Sequence, residues 1–520
     1  MFWKRLLGLL AIVCNLAGFA GATSPAGQPP HPNSTDESSS PGSAQPAASG
    51  LSHINHIIFM AQENRSFDHY FGELRRYWSQ NGYANHSLDG LPQFNPQSGA
   101  PPLHGPSPTN PGCDPDYPLP SDCVVDSNSP NVKSFHLLTQ CIENLSPSWN
   151  EAHVDWDLND PVGDSPAALD GFVFAAAHDA RAPVNSFHDK NGRRAMGYYT
   201  DADLNYYYFM ASNFATSDRW FMPVMSRTAP NRYFLIAGTS RGMVYPMGTD
   251  HKDSHYLSAK TIFQELQNAG ISWKIYVNPT GSACTGPPYD PVCLLTLSYV
   301  QDFTWGQTIP AQYPQSLGTI GIANSDFDTD LQNGTLPAVA QIEPAIDAGL
   351  DEHPSVSDSQ RNQIQLGATY VASLINSLMG SSSWKDSAFI LTYDESGGLY
   401  DHVPPQPAVS PDGIQPKDLL PGDVCTQVTG PTCDFVYTGY RVPLIVVSPY
   451  AKKHYVSHTV ADLTAILKLI ETRFKLGALT QRDAAQMNMA EFFAANPPWI
   501  NPPLPPVQNT SNPCYVNKLP

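Results

Sequence analysis

The chain has little positive charge. Against 47 Asp and Glu it carries 28 Lys and Arg, a formal net charge of -19. Nucleic-acid binding wants basic patches, so that balance argues against it, and it argues equally against electrostatic docking on anionic membranes. Long apolar runs are also missing. Beyond the first twenty or so residues no stretch approaches the roughly 20 apolar residues that span a bilayer. No internal repeat is visible. What the chain has in quantity is proline and glycine, 50 and 36 residues, which implies long ordered loops rather than short connections.

Residues 1–22 carry Lys4 and Arg5, an apolar core from Leu6 to Ala20, and small residues at Ala20-Gly21-Ala22. The apolar core is too short for a membrane span, and the pattern is that of a cleaved secretory signal peptide. Cys14 lies inside it, but Ala11-Ile12-Val13 ahead of it lacks the small residue a lipoprotein cysteine requires. The expectation is a free secreted or periplasmic protein whose mature net charge is near -21, since Lys4 and Arg5 leave with the leader. Residues 23–50 are rich in Ser, Pro, Ala and Gly; they cannot bury enough surface to offset their ordering entropy and read as disordered. Residues 51–500 read as one large domain with insertions, followed by a Pro-rich tail over 501–520.

Eight cysteines remain after Cys14. Three pairs are close in sequence, Cys113 with Cys123, Cys284 with Cys293 and Cys425 with Cys433, leaving Cys141 for Cys514. An even number in an exported chain reads as a disulfide framework, with proximity as the guide to pairing. Sequons stand at Asn33, Asn85, Asn144, Asn333 and Asn509; they bear on the protein only in a eukaryotic host.

The segment the rest is organised around is Ile57-Ile58-Phe59-Met60-Ala61-Gln62-Glu63-Asn64. An apolar run fit for a buried parallel strand ends abruptly in adjacent oxygen donors, Glu63 and Asn64, before a helix begins near Ser66. Open α/β folds place ligand sites at such carboxyl ends of strands. Ala388 to Tyr393 repeats the grammar and ends in Asp394-Glu395, followed by Gly397-Gly398. If the two strands are neighbours, Glu63, Asn64, Asp394 and Glu395 converge on one divalent cation. An all-oxygen set favours Ca²⁺, Mg²⁺ or Mn²⁺ over Zn²⁺.

Glu63-Asn64-Arg65-Ser66-Phe67-Asp68-His69-Tyr70-Phe71-Gly72 resembles the opening motif of the phosphoesterase family that includes non-specific phospholipases C and AcpA-type acid phosphatases. Three further blocks match in order: Thr228-Ala229-Pro230-Asn231-Arg232, Asp351-Glu352-His353-Pro354, and Thr392 to His402. The resemblance covers roughly residues 53 to 480. It implies an α/β fold, the alkaline-phosphatase-like three-layer α/β/α sandwich with a mainly parallel sheet. It also implies a phosphate-ester substrate, which for a phospholipid means at most transient membrane contact, with no obligate protein partner. By the same resemblance Thr228 aligns with the Ser/Thr nucleophile, His353 and His153 with catalytic histidines, and Asn231 and His402 with substrate contacts. Where the family often has another His shortly before Trp149, this chain has Ser146-Pro147-Ser148.

The Thr-x-Pro-x-Arg pattern resembles that of sulfatases, which oxidise a Cys or Ser at its first position to an aldehyde; threonine cannot serve there. Thr228 as a helix N-cap and Thr228 as a phosphoryl acceptor are compatible readings, because a helix N-terminus favours a phosphate. Ser226 is the competing hydroxyl. The reaction the resemblance implies is a two-step phosphoryl transfer by a non-specific phospholipase C; an acid phosphatase is the alternative and a non-catalytic binding protein on the same scaffold a distant one. Strands are predicted over Ile54–Met60, Phe172–Ala176, Tyr233–Ala237, Ser272–Tyr276, Ala338–Ile342, Ala388–Tyr393 and Val442–Ser448, and helices over Thr200–Asn213, Thr261–Ala269, Ser357–Met379 and Val460–Phe474.

Overall fold

Seven of the eight strands in the central sheet point the same way. The computed structural model describes residues 50–519 except 84–86, 98–100, 164–165, 249–254 and 356–362; the signal peptide and the disordered leader expected before Gly50 lie outside the described residues. The strands are β1 (His56–Gln62), β2 (Ala215–Ser217), β3 (Trp273–Val277), β4 (Leu317–Thr319), β5 (Val339–Ile342), β6 (Ser387–Tyr393), β7 (Leu444–Val447) and β8 (Tyr455–Ser457). Their order across the sheet is β8-β2-β7-β6-β1-β5-β3-β4. Only β7 is reversed, pairing antiparallel with both β6 and β2.

β1 and β6 sit at the centre, and every residue of each is buried apart from His56. That explains their unbroken apolar sequence: a parallel strand covered on both faces has no solvent side to alternate toward. Each large apolar side chain in them contributes about 1.5–3 kcal/mol on burial. Their register sets the site. Gln62 lies opposite Tyr393, so Glu63 and Asp394 leave the sheet side by side. On the other flank Met60 lies opposite Ile342, and β5 therefore delivers Glu343 to the same end.

The helices used below are α1 (Phe67–Phe71), α2 (Trp149–Trp156), α3 (Phe172–Arg181), α4 (Asn205–Asn213), α5 (Thr228–Ala237), α6 (Ile262–Asn268), α7 (Asp326–Asn333), α8 (Ile364–Met379) and α9 (Ala465–Phe474). α8 packs on α4 and α7, and α5 packs on α6 and α9; helices of this kind cover the sheet in the α/β/α sandwich.

Two predicted strands are helices. Tyr233–Ala237 is the second half of α5, and Phe172–Ala176 opens α3. Both are five-residue apolar runs, too short to show the polar interruptions that distinguish a helix from a strand by period. Ala175-Ala176-Ala177 also favours helix outright. The strand predicted at Val442–Ser448 exists as β7 but runs against its neighbours. β2, β4 and β8, three residues each, are too short to carry a pattern.

All four expected disulfides are present. Three close loops of 8 to 10 residues, whereas Cys141–Cys514 spans 373. The tail around Cys514 is also hydrogen bonded: the Gln140 N–H donates to Pro513 O at 2.9 Å and the Tyr515 N–H to Thr139 Oγ1 at 2.9 Å. Because the constraint on the unfolded chain grows with loop length, replacing Cys141 and Cys514 together by serine should cost about 2–4 kcal/mol. Paired replacement of Cys284 and Cys293 should cost less. Thermal unfolding midpoints of the two double variants check this; an equal or smaller loss at Cys141–Cys514 contradicts it.

Candidate active site

Three turns meet at the carboxyl ends of β1, β5 and β6, and their backbones are laced together. The Asp394 N–H donates to Gln62 O at 3.0 Å, the Arg65 N–H to Glu395 O at 3.0 Å, and the Glu63 N–H to Asp351 O at 2.9 Å. Asn64 takes a left-handed conformation with φ of 59° and gives its N–H to Asp394 Oδ1 at 3.0 Å. Gly397, with φ of 71°, packs so close that a Cβ would stand 2.4 Å from Asn64 O. Only glycine fits there, because both the dihedral and the space exclude a side chain.

Five carboxylates are buried in this region: Glu63, Glu343, Asp351, Asp394 and Glu395, none more than 2% exposed. Arg232, on the first turns of α5, is equally buried and reaches three of them. Its Nη2 lies 2.7 Å from Glu63 Oε1, its Nε 3.3 Å from Asp394 Oδ2 and its Nη1 3.9 Å from Glu343 Oε2. One guanidinium does not neutralise five acids. Burial, and then the Glu63 charge, push Asp394 up to about 7. Burial pushes Asp351 up to about 7 as well, and burial with the Asp394 charge raises Glu395 well above the usual range.

Thr228 is the first residue of α5, with Arg227 in extended conformation ahead of it. Its hydroxyl donates to Glu63 Oε2 at 3.2 Å. The competing Ser226 is fully buried and donates its hydroxyl to Val244 O at 2.5 Å. Asn231, expected at the substrate, is also fully buried: its Nδ2 donates to Ser226 O at 2.7 Å and Arg227 O at 3.3 Å, while its Oδ1 accepts from the Val224 N–H at 3.0 Å. It shapes the turn that presents Thr228 and does not line the cleft.

A cavity of about 260 Å³ opens over Thr228, with Asn64, Arg227, His353, Asp179 and Phe187 among its walls. His353 Nδ1 lies 2.6 Å from Pro354 O, an acceptor, so that nitrogen carries the proton and Nε2 the lone pair. Burial lowers its pKa, and the ring is neutral near pH 7. His153 is elsewhere: fully buried on α2, with its ring nitrogens 2.6 Å from Trp149 O and 3.0 Å from Thr432 O.

The residues fit a hard cation. Asn64 Oδ1, Asp351 Oδ1 and Glu395 Oε1 are buried oxygens without a hydrogen-bond donor, and Asp394 Oδ2 has only the ion pair to Arg232. Unsatisfied buried oxygens are costly, and four of them among clustered acids are the donor set a divalent ion takes. The carboxylates do not converge within 4.8 Å of one another as a trio; Asp68, Asp401 and His402 do. That second cluster is already filled by a protein cation. Fully buried Arg441 places Nη2 3.1 Å from Asp68 Oδ1 and Nε 2.8 Å from Asp401 Oδ1, and His402 lies 2.6 Å from Asp68 and 3.1 Å from Asp89. It is an ion-pair network in which both His402 nitrogens are engaged, rather than a substrate contact.

The model of the Phosphoesterase family matches residues 54–477. The chain belongs to the Phosphoesterase family. It is 29% identical over 496 residues to phospholipase C B of Mycobacterium tuberculosis, covering 92% of this chain and 84% of that protein. It is 26% identical over 469 residues to non-specific phospholipase C5 of Arabidopsis thaliana, covering 86% and 75%. Among solved structures, murine ectonucleotide pyrophosphatase/phosphodiesterase 5 is similar over 56% of this chain and 94% of that one, at 12% identity and a TM-score of 0.32. This phosphoesterase is thus a hydrolase of phosphoric esters.

Sequence reasoning brought Glu63, Asn64, Asp394, Glu395, Thr228 and His353 to one site. It gave no role to Arg232, Asp351 or Glu343. Arg232 was within reach: four residues after Thr228 on the same helix, it shares Thr228's face. Glu343 follows a buried strand as Asp394 does, but without a second donor beside it.

The His402 network in the phosphoesterase has a pH signature. Burial opposes the imidazolium, but the Asp68 charge and the hydrogen bonds to Asp68 and Asp89 outweigh it, raising His402 to about 9 from 6.5. A raised pKa makes the folded state hold its proton longer than the unfolded one. The stabilisation is therefore complete below pH 6.5 and lost between 6.5 and 9. His402→Gln should lower the melting temperature most at pH 6 and progressively less toward pH 9; a difference independent of pH contradicts the assignment.

Proposed function

We propose that this phosphoesterase is a secreted, metal-dependent enzyme that hydrolyses phospholipids as a non-specific phospholipase C, through a phospho-Thr228 intermediate. The observation that carries the reading is the Thr228 hydroxyl, at the start of a ten-residue helix, hydrogen bonded to Glu63 and facing the cavity. Asn64, Asp351, Asp394 and Glu395 would hold a divalent cation, which would supply charge neutralisation for the phosphoryl oxygens; Glu63, expected among the ligands, is engaged by Thr228 and Arg232 instead, and Asp351 takes its place. The relatives named phospholipase C, matched along 84% and 75% of their length, favour the lipid substrate. The cavity has room for a phosphoryl head group, and the acyl chains of a lipid would stay outside it. Secretion is supported by the leader pattern and the four disulfides. Among the described residues no helix is long and apolar enough to cross a membrane.

Glu63 receives the Thr228 proton as the Oγ1–P bond forms, and the P–O bond to the leaving group breaks, the departing oxygen taking a proton from solvent to become the alcohol. Arg227, at the cavity wall, and the N-terminal N–H groups of α5 face the phosphoryl oxygens. In the second step His353, neutral with its lone pair on Nε2, accepts a proton from the water that attacks phospho-Thr228; the Oγ1–P bond breaks and Glu63 returns its proton to Thr228 Oγ1. Burial disfavours the imidazolium that an acid for the leaving group would require, so His353 acts as the base.

Thr228→Ala should fold and still bind phosphate yet turn over at least about a hundredfold more slowly. Thr228→Ser should keep much of the rate. Acid quench during turnover should give a phosphopeptide on Thr228. Near-normal turnover by Thr228→Ala removes the covalent mechanism. Nitrophenyl phosphate, its phosphocholine ester and phosphatidylcholine, assayed side by side, separate phospholipase C from the alternative, acid phosphatase, which would favour the first.

A further inference from the structure

We infer that Glu352 is a positioning residue that sets the spacing of the three turns forming the active site, without touching substrate. It lies between Asp351 and His353 and is fully buried. Its carboxylate accepts four hydrogen bonds. Oε1 takes the Tyr207 hydroxyl at 2.5 Å and Gln62 Nε2 at 3.3 Å. Oε2 takes the hydroxyls of Tyr70 and Tyr393, each at 2.7 Å. Two donors on each oxygen fill the acceptor sites of a carboxylate, so Glu352 has nothing left to offer a cation or a phosphate.

The identity of the donors gives the role. Gln62 immediately precedes the Glu63-Asn64 pair, and Tyr393 immediately precedes Asp394-Glu395. Tyr70 and Tyr207 come from α1 and α4. One carboxylate thus ties the ends of β1 and β6 to the segment that carries Asp351 and His353. The main chain at Glu352 is fixed with equal care. Its φ is 69°, a left-handed value rare for a glutamate, and its carbonyl accepts Nε and Nη2 of the buried Arg65 at 2.9 and 2.5 Å. Gly367 on α8 makes room: a Cβ there would stand 2.3 Å from Glu352 Cγ. A buried carboxylate whose four acceptor sites are all filled has one arrangement, because any displaced donor leaves a polar atom unpaired.

Glu352→Gln keeps size and shape but replaces one acceptor oxygen by a donor. Measured with nitrophenyl phosphate and its phosphocholine ester, kcat per folded molecule should fall at least tenfold while KM changes less than threefold. Tyr393→Phe and Tyr70→Phe should each lose about threefold to tenfold in kcat. Adding Tyr393→Phe to Glu352→Gln should cost little more than Glu352→Gln alone, since the two act through one bond. A lowered melting temperature with unchanged kcat in the folded fraction, or fully additive losses in the double variant, overturns the proposal. If Glu352→Gln does not fold, the kcat of Tyr70→Phe, which removes one hydroxyl, decides. The inference uses the proposed catalytic centre only through turnover: an active Thr228→Ala beside a slow Glu352→Gln would refute the nucleophile and leave the positioning role standing.

Discussion

The parallel pairing of β1 with β6 is the constraint on which the site depends. Residues 331 positions apart are placed opposite each other by that register, as Gln62 faces Tyr393. The two acid-bearing turns then emerge together because parallel strands share their carboxyl ends. Loops alone would have to pay the ordering entropy of holding buried like charges side by side; two central strands, buried on both faces, do it as a consequence of the core. Reversing β7 costs nothing here, since it lies outside the three strands that carry the acids.

That placement creates an electrostatic problem. Arg232 reaches three of the five buried carboxylates, and burial raises the pKa values of Asp351, Asp394 and Glu395, with like-charge repulsion adding to it. A phosphate could not enter such a field without a further positive charge. The unpartnered oxygens of Asn64, Asp351 and Glu395 are aligned with that need, and Thr228 at the end of α5 adds the partial positive charge of a helix N-terminus. In the cluster around Arg441 the acids are matched within the protein: Asp68, Asp401 and Asp89 are paired with Arg441 and His402.

Much of the site was legible because its residues stand next to strong signals. Glu63-Asn64 and Asp394-Glu395 end apolar runs that only a buried strand explains, and Thr228 opens a pattern with Pro230 early in a helix. The histidines were less so. A sequence does not show whether an imidazole faces a cleft or a carbonyl, and His153 proved to be enclosed by Trp149 and Thr432. Glu352 was invisible as a hub because its partners Tyr70, Tyr207 and Tyr393 are scattered along the chain. The fold errors share one cause. Phe172–Ala176 in α3 and Tyr233–Ala237 in α5 are apolar runs of five residues, so composition had to decide where period could not.

The chemistry turns on the proposed divalent cation at Asn64, Asp351, Asp394 and Glu395. Elemental analysis of the purified protein, run beside Asp394→Asn and paired with activity, tests it most directly. The purified protein should carry about one Ca, Mg, Mn or Zn ion per active chain, and both ion and activity should be lost in the folded variant and in strong chelator. Full activity in a protein shown to be metal-free would contradict it.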